Sequence, residues 1–241
     1  MRLNYPFLGY DDTNLTRNFS GGDEEEPFLQ NLKKQPDDWY YRNANVTYSY
    51  NEYGHRCKNI AEIDLDNYIL FAGCSHTEGI GLEIENTYAH KVSTALGCDY
   101  YNLGKAGTGI DTMMYNLNMW FLLVQKKPKY MFVQWPDETR FTLIHGLDAE
   151  PCGFWKTEED FQKFLYYGDK IDFFLSRKTL AEKNTQLMVD ESVLININVA
   201  LQKNSEGSKL ILQRNDLARD LAHPGIQSHA KLTNEILAHL R

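Results

Sequence analysis

The chain has 241 residues, 42% of them hydrophobic, and a formal net charge of −8 at pH 7. That length fits one domain with additions, at about 100–200 residues per domain. The acidic balance argues against a nucleic-acid or anionic-membrane surface, since either needs a positive field. No apolar run approaches the ~20 residues that cross a bilayer, and the longest, Met119–Val124, reads as part of a core helix. The N-terminus M-R-L-N-Y-P-F-L-G-Y has no basic segment followed by an apolar one, so no signal peptide and a cytoplasmic location are expected. Cys57, Cys74, Cys98 and Cys152 lack C-x-x-C spacing, which points to free thiols rather than a zinc site or a disulfide framework.

Residues 1–66 are rich in Asn, Asp and Tyr and carry the acidic run Asp23–Glu26. They read as an extension that wraps a core domain, with a mobile part near 18–27, because they hold few apolar residues to bury. Within them Val46–Arg56 alternates like a strand pair or an edge strand. From residue 67 onward strands and helices alternate. The expected strands are Tyr68–Gly73, Asp99–Leu103, Lys129–Trp135 and Lys209–Gln213. The expected helices are Asn86–Leu96, Ile110–Gln125, Glu158–Tyr167, Lys170–Lys203 with an interruption, and Ile226–Leu240. In Ile110–Gln125 the residues Met113, Met114, Leu117, Trp120, Phe121 and Val124 recur at the i, i+3, i+4 spacing of one buried helix face. Strands separated by helices imply βαβ units, hence an α/β fold with a parallel sheet and right-handed crossovers. A helical insertion at about 140–205 carries many aromatic residues and reads as a lid, or equally as a helix pair covering one sheet face.

Two segments carry the chemistry. Y-I-L-F-A-G-C-S-H-T-E-G-I-G, Tyr68 to Gly81, runs from a buried strand into a glycine-rich turn and places Ser75 beyond the strand's C-terminal end, where open α/β sheets bind ligands. D-L-A-H-P-G, Asp220 to Gly225, sets a carboxylate three residues before a histidine. That spacing brings the two side chains to one side of a helical turn. Together they supply a nucleophile, a base and an orienting carboxylate in the order Ser, Asp, His. Ser75 alone would read as an ordinary turn or N-cap serine. The backbone N–H of Ser75 is one candidate oxyanion donor, and the glycine-rich turn Asn102–Gly109 offers others. The lipase elbow G-x-S-x-G is ruled out because position 77 is Thr. His76 and Glu78 read as surface or loop residues rather than metal ligands, and the tyrosines of 40–53 as aromatic packing or as a surface for stacking sugars.

The pattern resembles the SGNH (GDSL-type) hydrolases. Their first block, G-D-S-x-T-x-G-x-G, is matched by Gly73 to Gly81 with Cys74 in place of the Asp; the second by Asn102 and Gly107; the last, D-x-x-H-P, by Asp220, His223 and Pro224. The resemblance covers about residues 67–240. It implies a three-layer α/β/α sandwich of flavodoxin-like type, with Ser75, Asp220 and His223 as catalytic residues and Ser75 and Gly107 as oxyanion donors. The family's third block has an oxyanion Asn where this chain has Pro136, which donates nothing. Gln134 is the expected substitute, with Arg140 as the other candidate; losing such a donor costs about 100- to 1000-fold in rate. Arg140 ordinarily reads as a solvated or ion-paired arginine, with a role in holding an anionic substrate group as the functional alternative. The implied activity is hydrolysis of small acyl esters, O-acetyl groups on carbohydrate above all, with no metal or organic cofactor. An acyltransferase with the same triad, and a binding or structural module of a larger assembly such as a phage particle, are the alternatives. The expected partner is a small-molecule or carbohydrate ester, with no nucleic acid and no membrane, and a homo-oligomer is left open.

Overall fold

The computed structural model describes residues 7–9, 12–145, 148–190, 193–199 and 210–241. In the N-terminal region β1 (Thr16–Arg17) precedes α1 (Glu25–Lys34), and β2 (Tyr48–Ser49) pairs antiparallel with β1. The core then runs β3 (Tyr68–Ala72), α2 (Ser75–Glu78), α3 (Tyr88–Leu96), β4 (Asp99–Asn102), α4 (Ile110–Val124) and β5 (Tyr130–Gln134). A hairpin follows, β6 (Phe141–His145) and β7 (Asp148–Cys152), then α5 (Glu159–Lys170) and α6 (Phe173–Met188). The chain closes with β8 (Leu194–Val199), β9 (Leu210–Leu212) and α7 (Ile226–His239).

The main sheet is parallel throughout, in the order β4-β3-β5-β8-β9. Counted as core strands this is 2-1-3-4-5, the flavodoxin-like order. All five residues of β3 are buried because the strand lies between β4 and β5 in a sheet covered on both faces. Successive side chains serve opposite layers. Tyr68, Leu70 and Ala72 pack with Met113, Leu117 and Trp120 of α4 and Ala181 of α6. Ile69 and Phe71 pack with Tyr88, Ala89 and Val92 of α3 and Leu232 and Ile236 of α7. The result is an α/β/α sandwich. Strand order reverses between β4 and β5 on either side of β3, so the crevice at the C-terminal end of β3 is the place where such a sheet opens to a ligand. Among the described residues no helix is long and apolar enough to cross a membrane.

Three expectations need correction. Leu194–Val199 is a strand of the main sheet, not the tail of a helix; it pairs with β5 from Met131↔Leu194 to Gln134↔Ile197. The run L-I-N-I-N-V alternates β-branched and polar residues, a period-2 signal hidden by the helical pattern before it. Lys209 and residues 200–203, included in the expected elements, lie outside the described residues. The insertion is not purely helical, since it begins with the β6–β7 hairpin. Finally, residues 18–27 are built into the fold: Asp23 is fully buried and α1 starts at Glu25.

The N-terminal region packs on the core at both ends. Leu8 N–H donates to Asn116 Oδ1 at 2.9 Å, and Asn116 Nδ2 returns a bond to the Leu8 carbonyl at 3.1 Å. Tyr41, Val46, Tyr48 and Tyr50 form a third apolar cluster with Ile80, Leu82 and Ala218, three residues of the loops that follow β3 and β9.

On α7, His229 is buried and its Nδ1 accepts the Tyr88 backbone N–H at 3.0 Å. Burial, with the charges of His223 and Lys91 adding to it and Asp216 opposing, lowers its pKa from 6.5 to about 3. The folded protein therefore keeps this ring neutral where the unfolded chain takes up a proton, so stability present above pH 6.5 is lost between pH 6.5 and about 3. Urea unfolding at a series of pH values should show a loss of about 1.4 kcal/mol per pH unit from this group, a slope that His229→Gln reduces. An identical slope in the variant would remove the histidine from the account.

Candidate active site

Ser75 stands where β3 passes into α2, with Cys74 in extended conformation between them. The Cys74 thiol turns inward and donates to Gln134 Oε1 at 3.2 Å, while Ser75 Oγ lies 2.8 Å from His223 Nε2. His223 Nδ1 bonds Asp220 Oδ2. A carboxylate only accepts, so Nδ1 carries the proton; Nε2 is then the acceptor and the serine hydroxyl the donor. Asp220 and His223 meet through a bend rather than a helical turn. Leu221 takes φ +57°, and Asp220 Oδ1 accepts the backbone N–H groups of Ala222 and His223, each at 3.0 Å. An aspartate that bonds the backbone two and three residues on competes with helix, and Pro224 disfavours helical geometry at His223. Burial alone would raise the Asp220 pKa; the bonds from the His223 ring, the His223 N–H and the Ala222 N–H outweigh it and hold the carboxyl below its usual range.

Two backbone N–H groups were expected as oxyanion donors. Those of Ser75 and Gly107 have no acceptor among the described residues. Gly107 adopts φ +77°, and a Cβ there would lie 3.1 Å from the Pro151 ring, so conformation and space both call for glycine. Asn102 ties the two turns together: its Nδ2 donates to the Thr77 carbonyl at 2.8 Å and its Oδ1 accepts Gly104 N–H at 2.9 Å. Gln134 does not face this space. It is fully buried, its Nε2 donates to the Trp135 carbonyl at 2.8 Å, and its Oε1 faces the Cys74 thiol. The amide braces the strand end, and the expected oxyanion role for Gln134 is withdrawn on that geometry.

The N-terminal region clamps both loops of the site. Asp23 and Arg219 form an ion pair with side-chain exposures of 0% and 5%, bonded through Arg219 Nη2 at 2.6 Å and Nε at 3.1 Å. Tyr48 OH donates to Asp23 Oδ2 at 2.6 Å and accepts the Gly81 N–H at 2.7 Å. Arg219 lies between Phe19 and Phe28, its guanidinium 4.5 and 5.0 Å from the ring centroids. Glu78 is buried, contrary to the expected surface role. It accepts from Tyr50 OH at 2.9 Å and from the Ala106 N–H at 2.5 Å. Arg56 donates to the Gly79 carbonyl at 2.6 Å and the Leu82 carbonyl at 2.7 Å. Gly22 lies against the candidate base, since a Cβ there would stand 3.6 Å from His223 Cε1.

A cleft of about 410 Å³ opens beside the serine, lined by Cys74, His76, Pro136, Arg140, Phe154 and Arg214 among others. His76, expected as a surface or loop residue, is partly exposed and lines this cleft. Its ring centroid is 5.5 Å from that of His223, and its Nδ1 is buried without a partner. Burial first, then the charges of His223, His229, Arg140 and Arg214, hold His76 well below the usual histidine pKa. Arg140 reaches the cleft with its guanidinium 5.1 Å from the Trp155 ring centroid.

The structure thus brings Ser75, Asp220 and His223 together, places Gly107 in the turn after β4 that Asn102 ties to Thr77, leaves Arg140 in the adjoining cleft and turns Gln134 inward. Asp23, Tyr48, Tyr50, Arg56 and Arg219 escaped the sequence reading because their partners lie up to 196 positions away. The one usable signal is that Arg219 directly precedes the D-x-x-H-P segment.

No family model and no curated protein matches the chain. Among solved structures it is similar to a carbohydrate esterase family 2 enzyme with a carbohydrate-binding domain from Corynascus thermopiles (Myceliophthora fergusii), at 12% identity and TM-score 0.47, over 72% of this chain and 65% of that one. It is also similar to an acetyl xylan esterase from the rumen bacterium Butyrivibrio proteoclasticus, at 13% identity and TM-score 0.45, over 73% and 63% of the two chains. A member of the lipolytic protein G-D-S-L family from Veillonella parvula gives 10% identity and TM-score 0.44, over 71% and 96%. This chain therefore spans under two thirds of the first two of these proteins. Scores below 0.5 do not carry an activity from one protein to another, so chemistry has to be read from the side chains in the cleft.

Removing one member of a buried ion pair strands the other charge, at about 3–5 kcal/mol. Asp23→Ala should therefore lower the unfolding free energy by about that amount, and the double variant Asp23→Ala/Arg219→Met should recover most of it. A single-variant loss below about 1 kcal/mol in urea titration would show that the clamp is not held by this pair.

Proposed function

We propose that the protein is a serine esterase that hydrolyses small acyl esters, O-acetyl groups on a saccharide above all, through Ser75, His223 and Asp220. The observation that carries this reading is the continuous chain from Ser75 Oγ to His223 Nε2 at 2.8 Å and from His223 Nδ1 to the Asp220 carboxylate. The sequence blocks around Gly73–Gly81, Asn102–Gly107 and Asp220–Pro224, which resemble those of the SGNH hydrolases, support the same assignment.

In this mechanism the Ser75 hydroxyl gives its proton to His223 Nε2 as Oγ attacks the ester carbonyl. The imidazolium that forms is stabilised by Asp220, whose lowered pKa keeps it ionised when the charge appears. The tetrahedral oxyanion lies against the N–H groups of Ser75 and Gly107, neither of which has a competing acceptor among the described residues. His223 then returns the proton to the departing alkoxide, leaving acyl-Ser75. Water, deprotonated by the same ring, attacks the acyl group and releases the acid. Pro136 supplies no third donor, so this oxyanion hole works with two. Phe154, at 63% exposure, and Trp155, at 40%, form an aromatic rim suited to a sugar face.

Hydrolysis of p-nitrophenyl acetate and of acetylated saccharides should fall on the order of 10⁴-fold or more in Ser75→Ala and in His223→Ala, with folding retained by circular dichroism. Asp220→Asn should lose about 10⁴-fold, because the wrong tautomer is then favoured. Turnover that survives all three substitutions, or is absent from the wild-type protein, would defeat the esterase reading. Gly107→Ala, which puts a methyl group against Pro151 at a positive φ, should lower kcat with little effect on KM.

A further inference from the structure

The cleft beside Ser75 is cationic in a chain that is acidic overall, with 33 Asp and Glu against 25 Lys and Arg. Most of the other described arginines are engaged. Arg17 pairs with Asp12, Arg177 with Asp111 and Arg219 with Asp23, and Arg56 is held by backbone carbonyls. Arg140 and Arg214 form no ion pair among the described residues, and both line this one cleft. His76 lines the same cleft. Among the described residues, two nitrogens of these cleft-lining side chains, Arg140 Nε and His76 Nδ1, are buried without a hydrogen-bond partner. The Arg140 Nε–H is a donor in every state, and a buried donor without an acceptor costs about 1–3 kcal/mol. Asp137 lines the same cleft with one carboxylate against the two guanidinium groups, its Oδ1 held by the Thr139 N–H and hydroxyl, so the lining keeps a positive balance. Trp155 beneath the Arg140 guanidinium steadies it, leaving its planar edge for a carboxylate.

We propose that Arg140 and Arg214 bind a carboxylate, so that the ester presented to Ser75 is carried by an acidic saccharide. This rests on the esterase reading for the reaction, but not for the binding. The carboxylate would sit on the sugar, with the ring against Phe154 and the acyl group directed to the Ser75–His223 pair. A neutral acetylated saccharide offers these groups hydroxyl and carbonyl oxygens but no counter-charge for the two guanidinium groups.

The test compares O-acetylated trigalacturonate and O-acetylated sialic acid with their carboxyl-reduced, neutral counterparts. In wild-type protein at low salt the acids should be favoured in kcat/KM by about 10- to 100-fold, the range of a charge-assisted hydrogen-bond pair. Arg140→Gln and Arg214→Gln should each collapse that ratio towards one, and rising ionic strength should erode it. Binding of de-acetylated trigalacturonate and free sialic acid to the Ser75→Ala protein, measured by calorimetry, reads the subsite without turnover. Serine-dependent hydrolysis with no preference for either acid would overturn the carboxylate site and leave the esterase standing. Acid binding that is lost in the arginine variants, in a protein that turns over no ester, would do the reverse.

Discussion

An aspartate and an arginine with almost no access to solvent remain charged only where each satisfies the other, and the pair Asp23–Arg219 is such a case. It joins a residue near the start of the chain to the residue directly before Asp220. Through Tyr48 it extends to the Gly81 N–H, in the loop that follows Ser75. Both halves of the candidate triad, which come from opposite ends of the domain, are thereby referred to one buried charge pair. Arg56 and Glu78 repeat the arrangement on a second line, one donating to loop carbonyls and the other accepting from Tyr50 and Ala106. The N-terminal region is thus the outer wall of the site, with Gly22 against the His223 ring.

Beneath that clamp the sheet decides where a site can exist. A parallel sheet leaves all its strand ends pointing one way, and the reversal of order around β3 opens a crevice where the connections part. Ser75 comes three residues after the end of β3, and the turn holding Gly107 follows β4, its neighbour. The segment carrying Asp220 and His223 follows β9, at the far edge of the sheet. It is closed on itself by the bridge Leu217↔Pro224 and is joined to the loop after Ser75 by the bond from the Arg219 N–H to the Gly81 carbonyl at 3.2 Å. The strand ends supply direction and the side-chain clamp supplies register.

Much of this was legible in the chain. The alternation of buried strands and amphipathic helices gave β3, β4, β5, α3, α4 and α7 to within a few residues, because each is local and carries its own period. The turn after β3 and D-x-x-H-P pointed to Ser75, Asp220 and His223 as candidates, and the resemblance to the SGNH blocks added Gly107. What failed was non-local. Leu194–Val199 is too short to announce itself beside a long helical pattern, and only its place between β5 and β9 makes it a strand. Gln134 at a strand end looked free to donate until the Cys74 thiol and the Trp135 carbonyl were found on either side of it. The polar run at 18–27 looked mobile because its apolar partners, and the arginine that matches Asp23, lie elsewhere in the sequence.

By itself the sequence determined the layered α/β architecture and singled out a candidate nucleophile, base and carboxylate, since periodicity and residue chemistry are properties of short segments. Only the tertiary structure decided that Ser75 Oγ and His223 Nε2 stand 2.8 Å apart, that Asp23 stands behind Arg219, and that Arg140 and Arg214 share one cleft. Those facts depend on distances between residues far apart in the chain, which packing around a common core sets and no local pattern encodes.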